Sequence, residues 1–225
     1  MKGTLVNVAA VLVGGGFGLL VGRRLPERLR GIITDGLGLA TLLIGVRLAL
    51  KADNMLIVIG SLVAGGLLGE WWNLEQRLED AGAWLKARTG STEGRFVTGF
   101  VTASLVYCVG PMTIVGSIQA GINGNAEVLY AKSMLDGAAS IAFASSLGVG
   151  VLFSSVTVLI VQGGLTLLGG QLTFLLDERI LNEVTGTGGA LILGIGLLLL
   201  EIRRLRIANF LPALPVAAAL AALSR

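Results

Sequence analysis

Lys132 and Asp136 are charged residues within an otherwise apolar and small-residue stretch, AKSMLDGAASIAFASSLG (131–148). Because they are four residues apart, they share one face of a helix and can pair. An ionisable side chain inside a membrane span is costly, and by default it marks a function or a buried pair. We therefore expect Asp136 to supply charge or to accept a proton in a solute pathway. The alternative is that both side chains lie at the outer membrane interface and extend into the headgroups.

A helix-breaking step lies in YCVGPMTIVGSIQAGINGN (107–125). Pro111 has no backbone N–H and clashes with the preceding turn, while Gly110 has no side chain to resist a bend. The break frees carbonyls near residues 106–108, and such backbone is tolerated at membrane depth only when it is buried in protein or lines a wet cavity. AGINGN (120–125) is expected to form a tight turn or a re-entrant tip. We predict that the break lines a pathway together with downstream polar side chains: Thr113, Ser117, Gln119 and Asn123.

Two further polar residues are secondary candidates. Asp35 lies early in the second apolar segment, where it could act on a coupling ion or reach the basic loop before it. Asn209 lies just upstream of two prolines that kink the last apolar segment, which makes a second broken helix conceivable. Neutral amides such as this one, Asn7 and Gln162 more often join helices than bind ligands. Glu70, at the end of the third segment, is expected to meet a nearby arginine.

The composition identifies an integral membrane protein. Of 225 residues, 54% are hydrophobic and 14% charged, against about 25% charged in soluble domains. Glycine is abundant, at 34 residues, and it lets membrane helices approach closely. Apolar windows long enough to cross a bilayer recur from end to end. We therefore predict an all-α polytopic protein with a single transmembrane domain, residues 1–225. The net charge of +3 does not indicate a nucleic-acid partner.

Missing residue types and motifs limit the chemistry. The chain has no histidine and one cysteine, Cys108, which excludes histidine-based metal sites, imidazole acid–base catalysis and an internal disulfide. There is no GxxxxGK[ST] motif, so the chain does not itself hydrolyse nucleotide. GxSxG and HExxH motifs are also missing. We expect no enzyme activity, no metal and no cofactor.

Eight apolar segments are predicted to span the membrane. They cover residues 3–22, 31–50, 54–70, 96–118, 131–152, 154–172, 186–201 and 206–224. The long connection 71–95 has tryptophan and leucine at helical spacing, which predicts an amphipathic helix at the cytoplasmic interface or, alternatively, a helix packed against the bundle. Arginine and lysine concentrate in three connections, after the first, third and seventh segments. Cytoplasmic loops carry this excess, so both termini are predicted to lie outside.

An internal similarity suggests an inverted repeat. VLVGGGFGLLVG (11–22) resembles VLIVQGGLTLLG (158–169), and GLGLATLLIGVRLAL (36–50) resembles GTGGALILGIGLLLL (186–200). Segments one to three would then correspond to segments six to eight with opposite orientation. Chance similarity between apolar glycine-rich helices is the alternative. Inverted repeats are a recurring plan of secondary transporters, with the site at the repeat interface.

Several stretches together resemble a known family. They are GTLVNVAAVLVGGGFGLLVGRRLP (3–26), residues 107–125, residues 131–154 and LGIGLLLLEIRRLRIANFLPAL (193–214). They are similar to the uncharacterised YqgA/YdfK-like family of prokaryotic inner-membrane proteins, a domain of unknown function, and the resemblance covers essentially the whole chain. It implies residence in the bacterial plasma membrane, and it supplies no substrate and no catalytic residues.

Three functions are compatible with these features. The favoured one is a secondary transporter or ion-conducting permease for a small polar solute or cation, without its own ATPase and able to work as a homo-oligomer. A second is a non-transporting scaffold or sensor whose glycines serve only helix packing. A third is a lipid-binding component that uses Trp71, Trp72 and Trp84 with nearby basic residues at the anionic leaflet.

Overall fold

The computed structural model describes residues 1–91 and 94–224, and the regular structure of these residues is entirely helical. The α-helices are α1 (Lys2–Gly22), α2 (Glu27–Ala49), α3 (Met55–Trp72), α4 (Leu74–Thr89), α5 (Phe96–Cys108), α6 (Pro111–Ile122), α7 (Glu127–Leu147), α8 (Gly150–Leu167), α9 (Glu178–Leu199) and α10 (Ala213–Leu223). Two short 3-10 turns cover Thr173–Leu176 and Ile207–Phe210. The all-α prediction is confirmed.

Several helices have the length and composition of membrane spans. Among the described residues, five meet both requirements, α1, α2, α3, α8 and α9, and the bent pair α5–α6 makes a sixth if it counts as one span. Large apolar side chains such as Val13, Leu43 and Leu56 lie on the outer surface of these helices. In water they would be unfavourable, whereas in a bilayer they face lipid. The remaining predicted spans are α7, which contains charged and serine residues, and the short terminal helix α10.

Several predicted segment boundaries were wrong by five residues or more: the ends of 131–152 and 154–172 and the starts of 186–201 and 206–224. Local backbone chemistry explains two of them. The segment 131–152 ends early, because Gly148 has a left-handed φ of 85° and α7 stops at Leu147. Residues 173–185 fall between the predicted segments 154–172 and 186–201, but α9 begins among them at Glu178. The Asp177 side chain caps this start by accepting hydrogen bonds from the next backbone N–H groups.

The break at Gly110–Pro111 is confirmed. Helices α5 and α6 meet at an angle of 61°. The hydroxyl of Thr113 donates to the backbone carbonyl of Tyr107 at 3.1 Å, so one carbonyl freed by the break has a protein partner. The predicted tight turn follows α6, with Gly124 at a left-handed φ of 74°. The bend is therefore stabilised locally, as buried backbone at membrane depth requires.

The described chain divides into two compact units. The first contains Met1–Leu37, Glu79–Cys108 and Met112–Leu172, and the second contains Gly38–Leu78, Val109–Pro111 and Thr173–Arg225. Within the first unit, α1 lies directly against the α7 backbone. A Cβ atom added at Gly14, Gly18 or Gly22 would collide with backbone atoms of Gly137, Ile141 and Ser145, respectively. Only glycine allows this approach, which is how membrane helices commonly pack.

Antiparallel helix pairs in contact occur in both units, and three of these pairs join helices that the predicted repeat would relate. In the first unit, α1 packs on α8, with Gly15 near Leu152 and Thr4 near Gly163. In the second unit, the C-terminal half of α2 packs on α9, and α3 packs on α10 and the 3-10 turn before it. Their close approaches join Gly38 to Leu200, Gly45 to Leu193, Gly186 to Ala52, Gly60 to Leu220 and Gly69 to Asn209.

Helix α4 occupies the centre of the predicted amphipathic segment 71–95. Gly82 is buried against Phe100, so this helix contacts α5. The Trp84 ring stays largely exposed, and the Arg88 guanidinium lies 5.5 Å from its centroid. The helix therefore packs against its unit with one face and presents an aromatic and basic face outward.

Candidate functional site

The Lys132–Asp136 pair lies inside the first unit. Both residues are buried, at 5% and 8% exposure, and the Lys132 ammonium forms an ion pair with Oδ2 of Asp136. The spacing of four residues along α7 makes this geometry possible. The interfacial alternative would require both side chains to extend outward, and in this structure neither does.

Two amides from other helices complete the site. Nδ2 of Asn7 on α1 donates to Oδ2 of Asp136 at 2.9 Å and to Oε1 of Gln162 on α8 at 2.9 Å. A carboxylate accepts hydrogen bonds only, so Asp136 sets the orientation of the Asn7 amide, which in turn sets that of Gln162. We call these four residues, Asn7, Lys132, Asp136 and Gln162, the polar centre.

Helical periodicity brings these side chains together. On α1, Thr4, Asn7 and Val11 lie three and four residues apart and form one buried stripe. On α7 the corresponding stripe contains Lys132, Asp136 and Ser140, and on α8 it contains Val158, Gln162 and Thr166. Glycine contacts hold α1 close to α7, so short side chains such as that of Asn7 can reach across.

Three polar atoms at or beside the polar centre have no hydrogen-bond partner among the described residues. They are Oδ1 of Asn7, Nε2 of Gln162 and the hydroxyl of Thr4. All three residues are at most 1% exposed. Buried polar atoms are normally paired, and an unpaired one calls for an explanation such as a functional role.

A second polar contact connects the bend to α7. The Tyr107 hydroxyl lies 2.8 Å from the Ser140 hydroxyl, one helical turn beyond Asp136. The Tyr107 ring packs edge-on against Phe143, with the centroids 6.3 Å apart. Since the Tyr107 carbonyl accepts from Thr113, the end of α5 is tied both to α6 and to α7. This carbonyl is already bonded, so it is a poorer candidate ligand than the sequence suggested.

Comparison with known proteins identifies the family. The model for "Protein of unknown function (DUF554)" matches residues 2–222. The chain belongs to the DUF554 family. It is 33% identical to "Uncharacterized protein YqgA" of Escherichia coli (strain K12) over 225 residues, 98% of this chain and 96% of that protein. It is 29% identical to "Uncharacterized membrane protein YdfK" of Bacillus subtilis (strain 168) over 218 residues, 95% and 93% of the two chains. No solved structure matches.

The family assignment confirms the resemblance inferred from the sequence. Together with the apolar helices, the YdfK description supports membrane localisation for this DUF554 member. The relatives are described as uncharacterised, so the function has to be argued from the residues of the site.

The other predicted pathway residues of this DUF554 member differ in burial and bonding. Thr113 and Ser117 are buried on α6, and the Ser117 hydroxyl has no partner among the described residues. Gln119 is half-buried, whereas Asn123 is exposed in the turn, where its side chain accepts from the N–H of Asn125. Gly110 and Pro111 are half-buried and fall in the second unit.

The secondary candidates have different surroundings. Asp35 is exposed on α2. Asn209 is buried in the second unit, where Nδ2 donates to Glu70 at 2.7 Å and Oδ1 accepts from the N–H of Glu75 at 2.7 Å. Glu70 also forms an ion pair with Arg206 at 2.5 Å, which confirms its predicted arginine partner. Asn209 therefore joins structural elements, as expected of a neutral amide.

Sequence reasoning gave no role to Glu183, a buried carboxylate on α9. Its Oε1 accepts from the N–H groups of Asp53 at 3.1 Å and Asn54 at 2.7 Å, just before α3 begins. A carboxylate suits the positive end of a helix. Its Oε2 has no hydrogen-bond partner among the described residues. Residue 183 falls between the predicted segments 154–172 and 186–201, and only the early start of α9 would have revealed its buried position.

Proposed function

We propose that this protein is a secondary transporter or ion-conducting permease for a small polar solute or cation, without an ATPase of its own. The polar centre carries the proposal. A charged pair and two amides buried among apolar helices are expensive for folding, and a packed apolar core would often be at least as stable. The presence of such a group inside a membrane protein favours a role in moving polar species.

The roles of the four residues follow from their bonding. Asp136 is the group that binds a cation or accepts a proton, and Lys132 neutralises it when no ligand is present. A cation bound to Asp136 competes with Lys132 for the same carboxylate. Asn7 and Gln162 offer an unused amide oxygen and an unused amide nitrogen, which suit a polar ligand. Thr113 and Ser117 are proposed to line the approach along α6.

The proposed architecture is eight spans arranged as an inverted repeat. Segments one to three would be equivalent to segments six to eight, so α1, α2 and α3 would correspond to α8, α9 and α10. The structure supports this plan because each helix packs antiparallel against its proposed equivalent. Inverted repeats allow one half to move relative to the other around a fixed site. The positions of the arginine-rich connections support outside termini in a bacterial plasma membrane.

A non-transporting scaffold or sensor is the alternative, and the bonding of the polar centre supports it in part. The Lys132–Asp136 pair and the Asn7 bridges could simply hold α1, α7 and α8 in register. Under that reading, the unused amide atoms of Asn7 and Gln162 have no ligand to bind.

A ligand screen with matched variants tests the proposal. The purified full-length protein is screened by thermal unfolding against inorganic cations, amino acids, amines and small carboxylates, and hits are tested for flux in proteoliposomes. Gln162→Ala removes an unused donor of the polar centre, while Gln171→Ala makes the same change at an exposed position. We expect the stabilisation and flux to be lost only in Gln162→Ala. Equal behaviour of the two variants, or no ligand across the panel, would favour the scaffold.

A further inference from the structure

A cavity of about 380 Å³ lies in the first unit, away from the polar centre. Its lining includes Arg23, Arg30 and Arg95, one carboxylate, Glu27, and the end of α7 over residues 144–148. The volume is within the range of about 300–1,000 Å³ typical of ligand sites. Among the described residues of the lining, three guanidinium groups outnumber the single carboxylate, which makes this an electropositive pocket. We call it the arginine cavity.

The three arginines are not equivalent. Arg30 donates from Nε at 3.1 Å and from Nη2 at 2.5 Å to the carbonyl of Gly22, so it caps the C-terminal end of α1. Arg23 and Arg95 are exposed, and their guanidinium groups have no hydrogen bond or ion pair with any described residue. The helix end therefore uses one arginine, and two guanidinium groups remain for an external anion.

The chemistry of these groups selects phosphate. A guanidinium presents parallel N–H donors that match two phosphate oxygens, and such charge-assisted pairs are among the strongest hydrogen bonds. At a membrane surface the abundant phosphate is that of lipid headgroups, and anionic lipids attract juxtamembrane arginines.

The surroundings of the cavity favour a lipid over a free anion. Leu19 is part of the lining, and Phe17 and Leu20 on the same helix expose apolar side chains that can contact acyl chains. We propose that the arginine cavity binds the phosphate of an anionic phospholipid through Arg23 and Arg95. This site is independent of the proposed transport activity and would also serve a scaffold.

Matched charge variants make the test specific. Arg23→Gln with Arg95→Gln removes the two unpaired guanidinium groups, whereas Arg24→Gln with Arg28→Gln removes the same charge from exposed positions outside the cavity lining. The full-length protein in dodecyl maltoside is titrated with dioleoyl phosphatidylglycerol, dioleoyl phosphatidylcholine or inorganic phosphate, with binding followed by native mass spectrometry and thermal unfolding.

We expect phosphatidylglycerol to bind and stabilise the wild type more than phosphatidylcholine does. Binding should weaken at least tenfold in the Arg23/Arg95 variant and less than twofold in the Arg24/Arg28 variant. Equal losses in both variants would indicate diffuse electrostatic attraction and overturn the site. Inorganic phosphate that binds as tightly as the lipid would overturn the lipid assignment. If the glutamine variant does not fold, Arg23→Lys with Arg95→Lys retains charge without the paired donors and should still weaken binding.

Discussion

Neutralising the Lys132–Asp136 pair one residue at a time and then together tests whether it is buried as the structure describes. The two side chains are 6% and 12% exposed, so removing one partner leaves a charge in an apolar interior. Breaking a buried pair in this way costs about 3–5 kcal/mol, a large part of the roughly 5–15 kcal/mol that stabilises a typical domain. We expect Asp136→Asn and Lys132→Gln each to lower the free energy of unfolding by that amount.

The double variant should behave differently. It contains no buried charge, and Asn at position 136 still offers Asn7 an oxygen acceptor. Replacing a buried pair by apolar groups of similar volume is often close to neutral, and the amides introduced here likewise leave no unpaired charge. We therefore expect the double variant to lose less than about 2 kcal/mol of unfolding free energy. The three variants and the wild type form a double-mutant cycle measured by denaturant unfolding in detergent micelles. If each single variant loses less than about 1 kcal/mol of unfolding free energy and the two losses add up in the double variant, the pair is exposed to solvent. That result would refute its burial.

The same double variant separates stability from function. If the pair only joins turns of α7, restoring stability should restore every property of the protein, including any ligand found by screening. If Asp136 binds the transported species, the double variant should fold and still lose ligand stabilisation and flux.

Three further predictions concern packing and hydrogen bonding, each checked by thermal unfolding. Gly14→Ala should lower the free energy of unfolding by about 1–3 kcal/mol, because its Cβ would meet the α7 backbone. Gly16→Ala has open space around it and should raise the free energy of unfolding by about 0.5–1 kcal/mol. Equal effects of the two variants would contradict the close approach of α1 to α7. Thr113→Val should lower the free energy of unfolding by about 1–3 kcal/mol, because it leaves the buried carbonyl of Tyr107 unpaired at the bend. An unchanged unfolding midpoint would show that this hydrogen bond does not stabilise the protein. Glu183→Ala should lower the free energy of unfolding by about 1.5–3 kcal/mol through lost bonds at the start of α3. Exposed Glu178→Ala removes only a favourable charge from the first turn of α9 and should lower it by less than about 1 kcal/mol; similar losses would contradict the capping role.

Local chemistry explains what could be predicted from the sequence. The bend between α5 and α6 follows from a glycine–proline step, whose effect depends on adjacent atoms only. The Lys132–Asp136 pair follows from helical spacing within one helix. The ends of α7 and α9 were misplaced because a left-handed glycine and an aspartate cap determine them, and neither interrupts the apolar pattern.

Long-range contacts could not be predicted in the same way. Asn7 is separated from Asp136 by 129 residues and from Gln162 by 155, and nothing in the periodicity of α1 selects these partners. The sequence indicated that Asn7 would join helices, which it does, but it could not show that the joined groups include the buried carboxylate. The contact between Asn7 and Asp136 depends on the close approach of α1 to α7, which the glycines of α1 allow.

Cysteine accessibility next to Asp136 tests most directly whether polar species reach the polar centre. Ser133→Cys and Ser140→Cys flank Asp136 by about one helical turn on either side, and both are buried. Met134→Cys samples the exposed outer surface of the same helix as a control. Each is placed in a Cys108→Ala background, because Cys108 is the one native cysteine. The reagent is a small water-soluble methanethiosulfonate, applied to the protein in its membrane.

The account predicts that at least one of the two flanking cysteines is modified while the Met134→Cys control, facing lipid, is not. If both flanking cysteines remain unmodified until the protein is denatured in sodium dodecyl sulfate, the polar centre is sealed and the transport proposal is contradicted.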